Sequence, residues 1–160
     1  MFAIRELLRA TDSGKIADHT FAIQGFGNVG AWAAELLQEH GGKIVAVSDV
    51  SSAVGNEKGL DIKALRAHAA TGKPLGEFSG GAAFPVGDLL KTKCDVLIPA
   101  AIGGVIDQEQ AKTLDCRFVV EAANGPTTPE GDQALRDRGI VVLPDILTNG
   151  GGVTVSFFEW

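Results

Sequence analysis

Thr20-Phe21-Ala22-Ile23-Gln24-Gly25-Phe26-Gly27-Asn28-Val29-Gly30 is the stretch whose reading decides the fold. A β-branched and aromatic run, residues 20–23, meets a glycine turn, and a helical pattern begins at Asn28. Gly25, Gly27 and Gly30 stand at the spacing G-x-G-x-x-G, with a strand predicted before and a helix after. Each glycine has its own task. Gly25 permits a tight turn, Gly27 lets backbone approach a diphosphate, and Gly30 lets the helix sit close on the strand. The free N–H groups and positive dipole end of that helix then face phosphate. By itself the spacing is weak, because 21 of the 160 residues are glycine and a flexible turn would produce it too.

The flanking residues strengthen it. Gly30, Ala33, Ala34 and Leu37 share one helix face at i, i+3, i+4 and i+7, and that face is small near the glycine loop. Gly41-Gly42 closes the helix. A second strand, Lys43–Ser48, ends in Asp49, 19 residues after Gly30, where a dinucleotide fold places the acid that holds a ribose.

Composition bounds the function. The chain has one domain's length, is 45% hydrophobic and 21% charged, and carries a net charge of −6. It has no lysine or arginine block, which speaks against nucleic acid as a partner. No apolar run is long enough for a membrane span, and Arg5, Glu6 and Arg9 interrupt any signal core after Met1. Cys94 and Cys116 read as small core residues rather than metal ligands. Reduced thiols without an export signal suggest the cytoplasm.

Taken in order, the chain predicts a helix from Phe2 to Ala10, the strand–helix–strand unit just described, and a loop from Ser51 to Gly59. Asp61 then caps a helix carrying Ile62, Leu65 and Ala69 that stops at Gly72. Weak strand signal at Ala82–Phe84 and one helical turn at Val86–Leu90 follow. Further strands are expected at Cys94–Ile98, Arg117–Glu121 and Ile140–Leu143. Between them lie helices opened by an Asp107/Gln110 capping box and by Thr128-Pro129. The fold class is therefore α/β: a Rossmann-type, doubly wound, mostly parallel sheet with helices on both faces. Its ligand belongs at the carboxyl ends of the strands. Two loops there carry Asn124 and Asn149, whose amides suit a ribose hydroxyl or a carboxamide; each asparagine could equally support a turn.

Five blocks now resemble one family in order: residues 23–30, 45–49, 95–101, 121–129 and 144–153. They are similar to the nucleotide-binding domain of the glutamate/leucine/phenylalanine/valine dehydrogenases, and the ending Val153-Thr154-Val155-Ser156-Phe157-Phe158-Glu159-Trp160 resembles the glutamate branch. The resemblance implies an NAD(P)-dependent enzyme that deaminates L-glutamate to 2-oxoglutarate and ammonia. It implies that the backbone of Gly25, Phe26, Gly27, Asn28 and Val29 holds the diphosphate, while Asp49 and Val50 border the adenine ribose. Ala100 and Ala101 would line the cofactor cleft. Asn124 would reach the nicotinamide ribose, Asn149 would lie near nicotinamide and substrate, and Val153 and Ser156 would line the pocket for the substrate side chain. Local pattern makes 153–157 a strand, whereas the family makes it a helix.

The family's substrate-polarising lysines belong to a preceding domain that is absent from these 160 residues, so none of the residues above is catalytic. The expectation is a single nucleotide-binding domain, a fragment that binds nucleotide and does not turn glutamate over. Asp49 favours NAD, although Ser51, Ser52 and Lys58 leave NADP open. The alternatives are a leucine, valine or phenylalanine dehydrogenase, which Ser156 disfavours, and a non-catalytic regulatory nucleotide-binding module. The full-length protein is expected to be a homo-oligomer acting on a small-molecule substrate.

Overall fold

A computed structural model describes residues 1–151. Its centre is a seven-stranded sheet built from β1 (Thr20–Gln24), β2 (Lys43–Ser48), β3 (Ala53–Gly55), β4 (Ala82–Phe84), β5 (Val96–Pro99), β6 (Phe118–Val120) and β7 (Val141–Leu143). The order across the sheet is β4-β3-β2-β1-β5-β6-β7. The five strands from β2 to β7 in that order run parallel, whereas β3 and β4 are antiparallel additions at one edge.

Side-chain alternation sends the strands' apolar residues to two cores. Phe21, Ile23, Ile44, Val96, Ile98, Phe118 and Val120 face α1 (Phe2–Ala10), α2 (Asn28–Glu39) and α3 (Ile62–Ala70). Ala22, Val45, Ala46, Leu97 and Val119 face α4 (Gln108–Thr113) and α5 (Pro129–Asp137). β2 carries one extra residue, since Phe21 pairs with Ile44 and Ala22 with Ala46. This bulge puts Val45 and Ala46 in the same core. Cys94 lies in that core too, with Cys116 packed against it.

The helix boundaries follow their caps. Asp61 accepts from the Ala64 amide at 2.9 Å and Thr128 from the Gly131 amide at 3.1 Å. α2 closes in a Schellman turn: Gly42 N donates to Leu37 O at 2.8 Å, Gly41 N donates to Gln38 O at 2.9 Å, and Gly41 has φ +85°. At α4 only half of the expected capping box forms. Asp107 accepts from the Gln110 amide at 2.8 Å, but Gln110 Oε1 is buried without a partner among the described residues.

Residues 53–55 correct the expectation of an uninterrupted loop from 51 to 59. Asp49 reverses the chain there: its N–H donates to Ser52 O at 2.9 Å and its carboxylate accepts from the amides of Ser51 and Ser52, so Ala53 returns beside Ser48. The strand near residue 94 starts two residues later than expected, at Val96. Asp95 is diverted to the start of β1, where its Oδ2 accepts from Thr20 N at 2.8 Å and Thr20 Oγ1 at 2.7 Å.

Partial burial alone would raise the Asp95 carboxyl. The Thr20 hydrogen bonds, with the charges of His19 and Arg117, outweigh it and hold the group below its ordinary range. A carboxyl lowered by folding stabilises above its unfolded value of about 3.9, and that stability is lost as pH falls through the folded value. Asp95→Ala is expected to cost about 1–3 kcal/mol at pH 7, because it leaves the Thr20 donors unpaired. The gap in urea midpoint between wild type and variant should narrow as pH falls below about 4; a gap that stays constant down to pH 2.5 would contradict this account.

Candidate functional site at the carboxyl ends of the parallel strands

β1 lies between β2 and β5, the point where the strand order reverses and where open sheets of this kind take their ligand. Three loops are stitched there. Gly25 N donates to Ser48 O at 2.8 Å, and Ala100 N donates to Gln24 O at 2.7 Å. Gly25 turns the chain at φ +98°, and a Cβ on it would stand 2.9 Å from Ala100 O and 3.0 Å from Ala101 Cβ. A Cβ on Gly30 would strike the Gly25 carbonyl oxygen. A Cβ on Gly27 would meet nothing within 4 Å among the described residues. Gly25 and Gly30 are therefore required by packing inside the chain, whereas the space in front of Gly27 is open.

Gly27 is also the N-cap of α2, and it supplies no capping side chain. Among the described residues, no capping side chain accepts from the first amides of this twelve-residue helix. Asn28 and Val29 are exposed beside it, and Phe26 packs partly against the core. Behind the corner, two buried polar atoms have no partner among the described residues, Gln24 Oε1 and Ser48 Oγ. Both residues end strands whose middle residues are apolar, a signal that sequence reading could have used and did not.

Asp49 sits at the end of β2. Its Oδ1 takes three hydrogen bonds, from Ser51 N at 2.7 Å, Ser51 Oγ at 2.8 Å and Ser52 N at 2.8 Å. Burial would raise this carboxyl; the Ser51 and Ser52 hydrogen bonds more than offset that and hold it below its ordinary range. It is a fixed anion at neutral pH, and Oδ2 has no hydrogen-bond partner among the described residues. Val50 beside it is almost fully exposed. Ser52 Oγ is already engaged, accepting from Gly76 N at 3.0 Å.

On the far side of β1, Asn124 and Asn149 meet: Asn149 Nδ2 donates to Asn124 Oδ1 at 3.0 Å. Asn149, Asn28 and Val29 border one hollow of about 410 Å³, whose floor includes Ile98, Val120 and Ala122. Ala100 and Ala101 follow β5 between this hollow and Asp49's side of the crevice. Val153 and Ser156 lie outside the described residues. A larger hollow of about 1090 Å³ opens over Gly55, Lys58 and Phe84 at the antiparallel edge, and none of these strand-end residues lines it.

A doubly wound sheet with a three-glycine corner at its switch point defines the architecture of the dinucleotide-binding α/β proteins. The chain belongs to the glutamate/leucine/phenylalanine/valine dehydrogenase family, whose family model matches residues 1–160. It is 47% identical over 161 positions to the NADP-specific glutamate dehydrogenase A1 of Halobacterium salinarum. The match covers all of this chain and 38% of that relative. Among solved structures, glutamate dehydrogenase from Peptoniphilus asaccharolyticus superposes with a TM-score of 0.79 at 39% identity, over 98% of this chain and 35% of that one. The leucine-bound, hetero-hexameric glutamate dehydrogenase of Thermus thermophilus gives 0.87 at 29% identity, over 99% and 37%.

Proposed function

We propose that these residues form the dinucleotide-binding part of an NAD(P)-dependent glutamate dehydrogenase, which deaminates L-glutamate to 2-oxoglutarate and ammonia. The observation that carries this reading is the open Gly27 position between two closed glycines, at the bare N-terminus of α2. The family match and the similarity to named glutamate dehydrogenases support the substrate.

The residues fit the cofactor. The amides of Phe26 to Val29 receive the diphosphate, where the α2 dipole favours negative charge. Asp49 Oδ2 accepts from the adenine ribose, with Val50 at its rim. Ala100 and Ala101 wall the crevice. Asn124 holds the nicotinamide ribose, and Asn149 orients the nicotinamide toward the substrate. Val153 and Ser156 line the pocket for the substrate side chain. When bound, the nicotinamide ring supplies the hydride acceptor. Lysine occurs at none of these positions, so the 160 residues bind nucleotide without deaminating glutamate. The whole protein works as an oligomer.

The anionic Asp49 supports NAD over NADP, in contrast to the NADP-specific relative. Calorimetric titration is expected to show tighter binding of NAD than of NADP, with Asp49→Ser narrowing the gap about tenfold by removing a charge that repels a 2′-phosphate. Tighter NADP binding by the wild type would overturn the cofactor assignment, and binding of neither would overturn the nucleotide site.

A further inference from the structure

We propose that Glu121 is a positioning residue: with Asp145 it clamps the loops after β6 and β7 so that Asn124 and Asn149 meet, and so sets affinity for the nicotinamide half of the cofactor. The inference rests on the dinucleotide reading above and adds to it two acids that touch no ligand.

Glu121 follows β6 and is 7% exposed, so its carboxylate needs partners inside the protein. It grips the corner after β7 at three points. Its N–H donates to Leu143 O at 3.0 Å. Its Oε2 accepts from Asp145 N at 3.1 Å, at the start of α6 (Asp145–Thr148). Its carbonyl oxygen accepts from Thr148 Oγ1 at the end of the same turn. Asp145 returns the grip, because its Oδ2 accepts from Gly125 N at 2.8 Å, one residue past Asn124. Asn149 N then donates to Asp145 O at 2.7 Å, and Asn149 Nδ2 reaches Asn124 Oδ1 at 3.0 Å.

The bonds close a ring from Glu121 through Asp145 and Asn149 to Asn124 and Gly125. Its product is a fixed amide pair in which, among the described residues, Asn124 Nδ2 and Asn149 Oδ1 have no partner, one a donor and the other an acceptor. Without the carboxylate, the Asp145 amide loses its acceptor, and the turn carrying Asn149 keeps only the two main-chain bonds of Glu121 and the Asp145–Gly125 bond. The diphosphate corner and Asp49 share no bond with this ring, so the adenosine half should not sense its loss.

Calorimetry of the full chain with NAD and with ADP, which lacks the nicotinamide ribose and ring, separates positioning from general damage. Glu121→Ala should weaken NAD about tenfold, the equivalent of roughly one lost hydrogen bond, and leave ADP within about twofold. Glu121→Gln, which keeps the acceptor oxygen, should restore NAD binding. Should Glu121→Ala fail to fold by circular dichroism, Asp145→Ala, a partly exposed position, carries the same expected split. Unchanged NAD affinity in a folded variant, or equal weakening of NAD and ADP, would overturn the inference. A wild-type chain that binds neither ligand would instead overturn the dinucleotide reading beneath it.

Discussion

Gly30→Ala is expected to destabilise the chain by about 3 kcal/mol, measured by urea unfolding. Gly30 is buried in the first turn of α2, and a Cβ there lands on the Gly25 carbonyl oxygen with Ile23 Cγ2 only 3.4 Å away. The obstacle is backbone, which cannot rotate aside as a side chain could. Gly25 itself is fixed, with its N–H on Ser48 O and Ala100 O close against it. The helix would have to lift off β1, opening a gap over Ile23 and Leu37, both fully buried. Alanine's better helix propensity returns about 1 kcal/mol, less than the clash costs. A loss below about 1 kcal/mol would show that helix and strand are not in such close contact.

Gly27→Val has the opposite profile. Its Cβ meets no atom of the described residues within 4 Å, and its φ of −77° is open to any residue. Stability should therefore fall by no more than about 1 kcal/mol, the ordinary difference between cap residues. NAD affinity should fall at least about a hundredfold, because the side chain fills the space the diphosphate needs and pushes it off the helix amides. Calorimetry on the folded variant checks this. Binding within about threefold of wild type would place the ligand elsewhere and remove the main support for the dinucleotide site. Two glycines three residues apart should thus fail in separable ways, one through the fold and one through the ligand.

The difference between local and distant determinants explains what the sequence made readable. Thr20–Gln24, Asn28–Glu39 and Lys43–Ser48 carry their own signals: a β-branched run, a small-faced helical period, and glycines where the helix must stop. Asp61 and Thr128 cap the helices they were expected to cap. Ala53–Gly55 carries no such signal. It has three residues, two of them apolar, inside a stretch of serine, glycine and asparagine, and it becomes a strand because Asp49 folds it back onto Val47 and Ser48. At the glycine corner the turn at Gly25 and the close helix packing at Gly30 were legible. The joining of Asn124 to Asn149 was not, since it spans 25 residues and depends on Glu121 and Asp145, whose sequence neighbourhood resembles any strand end followed by a turn.

The corner at Gly25–Gly30 consists almost wholly of peptide groups, whereas the far edge of β2 presents side chains at 49–52. Peptide groups are common to every residue type, so mutation has little purchase on the first region beyond its three glycines. The second region can change one residue at a time. On the proposed dinucleotide reading, exchanges at 49–52 should alter cofactor preference while the glycine corner keeps its geometry.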